Sequence, residues 1–280
     1  TFAPILYLFE FENLNEAILI KHPSNQLILY GYEYYFNLFA KLYKDNRLPH
    51  TILLSGPKGM GKATFAYHFI NYILSIEDSN KYILDKFTID EKSKIYKNIC
   101  NKLNTNLMIL DNNDTDEDIK IENVRSLIKF LNKTTYPSNL KIVLIDNANY
   151  LNLNSSNSLL KVLEEANEKT FFFIINNNTD KILSTIKSRC IEFKIFFDDD
   201  EKKRILDNII SDYKDYIKTD NIDEIFYSGT PGNILRYILT ISAHTQNFSK
   251  DKLSSIFYLI EKYKKNKDPQ LLDFISFFIE

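Results

Sequence analysis

The sequence predicts an α/β fold built on a parallel sheet that is flanked by helices. Short apolar runs of strand length alternate with segments of helical periodicity over the first two thirds of the chain. A glycine-rich turn directly follows the first of these runs, and strand signals cease after residue 196. Alternation of this kind is typical of parallel sheets, so we expect an α/β domain followed by helices.

Five apolar runs have the length of buried strands: TILLS (51–55), LMIL (107–110), KIVLI (141–145), FFFII (171–175) and IEFKI (191–195). The segments between them that have helical periodicity are 62–76, 121–132 and 154–166. Further helices are predicted at 200–215, 221–227, 231–244, 250–265 and 269–279. The aromatic stretch YGYEYYFNLF (30–39) also has helical spacing, which favours packing in a core over base stacking.

Composition excludes several classes of protein. The 280 residues are 44% hydrophobic and 26% charged, which is enough to bury a large core. The 35 basic and 37 acidic residues nearly balance, so any DNA contact would be local or would come through partners. The two cysteines, Cys100 and Cys190, lie far apart, and the four histidines share no metal-ligand spacing. We therefore expect no metal site and no zinc.

Targeting signals are not evident in the sequence. No apolar run approaches the roughly 18 residues of a membrane-spanning helix. The first residues, TFAPILYLFEFEN, contain no basic segment of the kind that opens a signal peptide. These features predict a cytoplasmic protein without membrane contact.

The stretch GPKGMGKA fits the phosphate-loop pattern G-x-x-x-x-G-K and lies between a predicted strand and a predicted helix. Backbone N–H groups of such a loop surround phosphates, the helix N-terminus adds positive potential, and the lysine reaches the terminal phosphates. The alternative is a glycine-rich turn without a ligand. The predicted nucleotide-binding residues are Gly56, Pro57, Lys58, Gly59, Met60, Gly61, Lys62, Ala63 and Thr64.

One position in this loop departs from the pattern. Ala63 stands where Ser or Thr would supply a hydroxyl to Mg²⁺. Thr64 is the next residue, and it lies about 100° further round the helix. We therefore expect ATP to bind weakly at most, with Mg²⁺ poorly placed.

The run KIVLI is followed by Asp146, which matches the metal-linked carboxylate of P-loop proteins that hydrolyse nucleotides. The alternative is a polar residue that merely ends a buried strand. Hydrolytic members usually carry Glu next, as the base for the attacking water, and this chain has Asn147. An amide does not accept that proton, and the loss of a general base typically slows a reaction by about 10²- to 10⁴-fold.

Four stretches together resemble the delta-prime subunits of the bacterial DNA polymerase III clamp loader, an AAA+ family. They are RLPHTILLSGPKGMGKAT, ENVRSLIKFLNKTTYPSNLKIVLIDNANYLN, NSLLKVLEEANEKTFFFIINNN and LSTIKSRC, and they cover roughly residues 47–190. LLKVLEE followed by a strand and then SRC is specific to clamp-loader subunits and their inactive relatives. Ala166 departs from the family, which usually has Pro after LEE.

The resemblance implies roles for particular residues. Arg189 of SRC is similar to the arginine finger that these subunits insert into the ATP site of a neighbour; the alternative is a surface arginine that caps a helix. Either Asn176 or Asn177 matches the family's sensor-1 position.

The segment GTPGNILR (229–236) is similar to the start of the family's sensor-2 helix, with Thr230 as the N-cap and Pro231 as the first helical residue. Active subunits carry Arg where this chain has Gly232. This is the third departure after Ala63 and Asn147, and together the three lead us to expect no autonomous hydrolysis.

The resemblance also implies an organisation and a function. We expect an AAA+ P-loop domain at 1–196, a helical lid at 197–240 and the start of a helical collar at 241–280, which is shorter than that collar usually is. The chain would be a stator-like subunit of the DNA-directed DNA polymerase holoenzyme, assembled with gamma/tau, delta, the sliding clamp and primed DNA. Two alternatives are a working gamma/tau-like ATPase and a nucleotide-insensitive adaptor in another assembly.

Overall fold

A computed structural model describes residues 20–111, 119–133, 140–177, 182–213, 229–244 and 252–267, together with residue 275. The described residues fall into two units. The larger unit contains Lys21–Ile205 and Thr230–Gly232, and the smaller unit contains the other described residues. The predicted helix at 221–227 and nearly all of the one at 269–279 lie outside the described residues.

The larger unit is built on a parallel five-stranded sheet in the order β2-β3-β4-β1-β5. Its strands are β1 (Thr51–Ser55), β2 (Leu107–Leu110), β3 (Lys141–Ile145), β4 (Thr170–Asn176) and β5 (Ile191–Lys194). Every residue of β3 and β4 is buried, which explains why these strands have continuous apolar runs rather than alternating ones. The predicted α/β fold with a parallel sheet is confirmed.

The helices of the larger unit include α1 (Glu33–Lys44), α2 (Lys62–Ser75), α3 (Lys94–Cys100), α4 (Ile121–Asn132), α5 (Leu153–Glu165) and α6 (Ser184–Lys187). They are followed by α7 (Asp199–Asp212), α8 (Pro231–His244) and α9 (Lys252–Asn266). The helices predicted between the strands match α2, α4 and α5 to within a residue at each end. The sequence pattern does not predict α3 and α6, which have seven and four residues.

Helices cover both faces of the sheet, because alternate residues of a strand point to opposite sides. Phe172 and Ile174 of β4 belong to a core cluster with Val124 of α4 and Leu159 of α5. Phe173, between them, packs against Phe69 of α2, with 6.0 Å between the ring centroids. The sheet is thus the middle layer of three.

Aromatic side chains hold α1 and α2 together. Phe36 and Phe39 of α1 are fully buried, as are Phe65 and Phe69 of α2. The rings of Phe39 and Phe69 meet edge to face at 5.4 Å between centroids, a favourable arrangement for aromatic pairs. The prediction that the aromatic stretch at 30–39 packs in a core is confirmed for Phe36 and Phe39.

The described part of the smaller unit consists of helical segments. Its core contains residues of α7, α8 and α9 together with Tyr213, which follows α7, and Ile275. The residues from the helices are Leu206, Ile234, Leu235, Ile238, Leu239 and Leu259. In the ranges that the structure describes, no helix combines the length and apolar character needed to cross a membrane.

We predict that Phe173→Ala lowers the free energy of unfolding by about 3–5 kcal/mol, because it removes a fully buried ring from the middle of the sheet. The matched control is Phe196→Ala, since Phe196 is 71% exposed and its loss should change stability by no more than about 0.5 kcal/mol. Urea unfolding followed by circular dichroism measures both. Equal losses would contradict the layered core.

Candidate functional site

The predicted phosphate loop has the structural context that its pattern requires. It joins the end of β1 to the start of α2, so backbone N–H groups at the first turn of a helix border it. Gly61 is the N-cap of α2 and has a φ of 84°, in the left-handed region that glycine adopts without strain.

The carbonyl groups of the loop accept hydrogen bonds from three other parts of the chain. Nζ of Lys62 donates to the carbonyl oxygens of Gly56 and Pro57, both at 2.7 Å. The hydroxyl of Tyr32, immediately before α1, donates to the carbonyl oxygen of Met60 at 2.9 Å. Helices α1 and α2 therefore both contribute to fixing the loop.

The residues around the start of α8 supply the remaining donors. The Thr230 hydroxyl donates to the carbonyl oxygen of Lys58 at 2.8 Å, and the Gly232 N–H donates to that of Gly59 at 2.9 Å. A Cβ atom at position 232 would lie 2.8 Å from the Gly59 oxygen, closer than Cβ atoms approach backbone. Glycine is therefore required at 232 for this approach. Five successive loop carbonyls, from Gly56 to Met60, are bonded within the chain.

Lys62 is 3% exposed, although it carries the amine that the pattern assigns to phosphate. Burial lowers its pKa to about 8, and the negative charge of Asp146 partly opposes this shift. At least two of its three N–H groups are used by loop carbonyls.

The groups around the loop do not fit a Mg²⁺–nucleotide complex. Ala63 follows Lys62 in the first turn of α2 and offers no hydroxyl. Thr64 is one position further on, so its hydroxyl lies about 100° round the helix. With the lysine amine bonded to the loop itself, this site retains the backbone of a nucleotide-binding loop without its metal chemistry.

Polar residues gather at the carboxyl edge of the sheet, where β1, β3 and β4 end. Asp146 follows β3 and is 7% exposed, and Asn176, the last residue of β4, is fully buried opposite Ser55. Asn147 has a φ of 56°, which Asn tolerates better than most residues. The Asn177 amide donates to the Asn147 side-chain oxygen at 2.5 Å. Asn176 and Asn177, the two sensor-1 candidates, thus have different surroundings: Asn176 is buried at the end of β4, and Asn177 bonds to the residue that stands in place of the base.

Arg189 lies near the amino ends of the strands, whereas the loop lies at their carboxyl ends. It precedes β5, whereas the loop follows β1, and these two strands are parallel neighbours with Ile52 opposite Ile191. That register places Ile191, two residues after Arg189, four residues before Gly56 along the strands, roughly 13 Å at the usual rise per residue. The SRC arginine is therefore remote from its own chain's phosphate loop.

Glu164 of the LEE motif binds the Arg189 side chain. Nε of Arg189 donates to Oε1 of Glu164 at 2.6 Å, Nη2 donates to the same oxygen, and Nη1 donates to the carbonyl oxygen of Thr185 at 3.0 Å. The arginine side chain is 35% exposed. The neighbouring Cys190 thiol donates to the carbonyl of Ile186, and burial raises its pKa to about 12.

Sequence reasoning did not assign roles to Tyr32 and Glu164. Tyr32 stands in the aromatic stretch that predicts core packing, and its hydroxyl contact with the loop has no local signal. Glu164 lies in the LEE motif, which the sequence analysis used only for the family resemblance. The joint presence of LEE and SRC in that family was a usable signal, because Glu164 of LEE forms a salt bridge with Arg189 of SRC.

A phosphate loop at the carboxyl end of β1, within a parallel sheet of this strand order and followed by a helical unit, defines a P-loop protein with the AAA+ type of α/β fold. The model of the family described as DNA polymerase III, delta subunit, matches residues 31–198, which is more than half of the chain. The chain belongs to this family, as its resemblance to delta-prime subunits predicts.

The curated relatives include delta-prime subunits and gamma subunits of DNA polymerase III. The delta-prime subunit of Pseudomonas aeruginosa is 29% identical over 51% of this chain, and the gamma subunit of Buchnera aphidicola (subspecies Schizaphis graminum) is 26% identical over 86%. The matched parts span 42% and 64% of those two relatives, less than two thirds of each. Domain III of the replication initiation protein DnaA from Thermotoga maritima, a crystal structure, gives a TM-score of 0.48 at 14% identity, covering 85% of this chain and 95% of that one.

We predict that Gly232→Ala destabilises the protein by about 1–3 kcal/mol, because the added Cβ separates the start of α8 from the loop and breaks a backbone hydrogen bond. Helix propensity alone would make the change stabilising, by up to about 1 kcal/mol. The control is Gly229→Ala, where the nearest atom to a new Cβ belongs to the adjustable side chain of Ile234. Urea unfolding of both variants decides the sign.

We predict a pH dependence that comes from Lys62. Its pKa is about 8 in the folded chain and 10.5 ordinarily, so between these values the unfolded chain binds the extra proton. The stability of the native protein should therefore rise with pH across this window, relative to Lys62→Met. Buried tyrosines titrate alike in both proteins and cancel. Parallel stability profiles from pH 7 to 10 would contradict the burial of a charged amine at the loop.

Proposed function

We propose that the chain is a delta-prime-like stator subunit of a clamp loader, and that it donates Arg189 to the ATP site of a neighbouring gamma/tau subunit. The observation that carries this proposal is the position of Arg189 at the sheet edge opposite its own phosphate loop, with 35% of its side chain exposed. An arginine so placed serves a site on another chain better than the site on its own.

Its own loop lacks the parts of a hydrolytic site. Ala63 provides no metal-binding hydroxyl and Asn147 provides no base, and the loss of a general base alone typically slows a reaction by about 10²- to 10⁴-fold. These two residues also weigh against a working gamma/tau-like ATPase, an alternative that the gamma relatives raise. We infer that the loop binds ATP weakly at most and acts mainly as structure.

The chemistry that Arg189 would supply is charge stabilisation. In phosphoryl transfer, negative charge develops on the oxygens of the transferred γ-phosphoryl group. A guanidinium group is planar and permanently charged, and its parallel N–H groups match two such oxygens. Held in the neighbour's site, Arg189 would lower the barrier there without itself exchanging a proton.

The assembly follows from the same proposal. The partners would be gamma/tau, delta and the sliding clamp, with primed DNA reached through the complex, in the cytoplasm. The near balance of 35 basic and 37 acidic residues fits a subunit that contacts DNA mainly through others. Co-purification with gamma/tau and delta separates this role from that of an adaptor in another assembly.

We predict that, in a reconstituted loader, Arg189→Ala nearly abolishes hydrolysis at the one neighbouring site it completes, since an arginine finger contributes about 10³- to 10⁵-fold in rate. Total ATPase should fall only in part, because other sites keep their own fingers, while clamp loading should fall sharply. Arg189→Lys should not restore the rate, because an ammonium group lacks the planar fork.

Lys62→Ala is the matched control, since it removes a cation from this chain's own loop. With ring assembly verified first, it should leave loading almost unchanged. DNA- and clamp-stimulated ATPase and the loading rate measure each variant. If Lys62→Ala proves the more damaging of the two although the variant chain is as stable as the native one and assembles normally, the chain uses its own nucleotide site and the stator role is wrong.

A further inference from the structure

We propose that Glu164 is a positioning residue for Arg189, an inference that rests on the proposed function in trans. Its carboxylate fixes the orientation of the guanidinium group before the neighbour's nucleotide arrives. Glu164 lies in the last turn of α5, and Arg189 lies in the turn between α6 and β5. The bond therefore joins two elements that are separate in the sequence.

The three hydrogen bonds of Arg189 leave two of its N–H groups outside the bonds described for this side chain. A guanidinium group has five N–H donors. Oε1 of Glu164 takes Nε–H and one N–H of Nη2, and the Thr185 carbonyl takes one N–H of Nη1. Outside these bonds to described residues, one N–H remains on each terminal nitrogen. Two such N–H groups are what a phosphate needs for a two-pronged contact.

The neighbouring cation is paired with a different carboxylate and so does not compete with Arg189 for Glu164. Lys187, the last residue of α6, is this cation, and its Nζ lies 3.1 Å from Oε2 of Glu192. Glu192 also accepts from the Ser55 hydroxyl at 2.7 Å, which holds that carboxylate in place. Two separate acid–base pairs thus flank the SRC turn. Glu164 has no second described salt bridge that would draw it away from Arg189.

Positioning is the role that fits an exposed pair. Arg189 and Glu164 are 35% and 51% exposed, so their attraction adds little to the stability of the fold. An arginine side chain has many rotamers, and a finger must adopt one orientation in the transition state. A carboxylate that restricts the guanidinium beforehand reduces the ordering required at that moment.

The test uses the full chain in a reconstituted loader, with single-turnover hydrolysis at the neighbouring site and ATP binding there as separate readouts. Glu164→Ala should slow hydrolysis by about 3- to 10-fold, as expected for losing one orienting partner on a long side chain, with ATP binding unchanged. Glu164→Gln keeps an acceptor oxygen and should recover part of the rate. Glu165→Ala removes the adjacent charge of the same motif and should have no effect.

A double-variant comparison identifies the route of the effect. If Glu164 acts through Arg189, then Glu164→Ala should change nothing further in a chain that already carries Arg189→Ala. An equal loss in that background overturns the proposal, because the glutamate then acts by another route. A faster rate in Glu164→Ala also overturns it, because the carboxylate would then be competing with the nucleotide.

A measurement on the isolated full chain separates this inference from the proposed function. Phenylglyoxal modification of Arg189, followed by peptide mass spectrometry, should be several-fold faster in Glu164→Ala than in the native chain or Glu165→Ala. Unchanged reactivity means that Glu164 does not order the side chain, and the inference fails. If reactivity rises but Arg189→Ala leaves the neighbour's hydrolysis intact, Glu164 orders Arg189, the function in trans is wrong, and the positioning role fails with it.

Discussion

Hydrogen bonding to the backbone of the phosphate loop is the constraint on which this end of the larger unit depends. A buried or partly buried carbonyl group needs a donor, and five successive carbonyls here obtain theirs from Tyr32, Lys62, Thr230 and Gly232. These donors come from the starts of α1, α2 and α8. Hydrogen bonds from within the chain therefore organise the loop. The loop thus connects the starts of α1, α2 and α8 through hydrogen bonds to its carbonyl groups.

The separation of the two motifs follows from the parallel sheet. In such a sheet all carboxyl ends lie at one edge and all amino ends at the other, so a residue after β1 and a residue before β5 are kept apart by the length of a strand. No adjustment of side chains brings Arg189 to Gly56. The direction of the strands therefore keeps Arg189 away from the phosphate loop of its own chain.

Much of this arrangement could be predicted from the sequence, because it is written in local patterns. Apolar runs of strand length located the five described strands, and the glycines placed the loop between β1 and α2. The contacts that give the site its character join distant positions, and no local pattern encodes them. Gly232 approaches Gly59 across most of the chain, and Glu164 binds Arg189 across an intervening strand. The periodicity also missed α3 and α6, which are too short to repeat a helical pattern.

The contact between Gly232 and the loop has a consequence for the history of such a chain. Ala63 and Asn147 could each be exchanged by one substitution for the residue of an active subunit. An arginine at 232 could not be accepted in the same way, because any side chain there would meet the Gly59 carbonyl. The loop and the start of α8 would have to separate first, which breaks a hydrogen bond before any catalytic benefit exists. Of the three positions, 232 is thus the one at which packing blocks a stepwise path of substitutions toward the pattern of an active subunit.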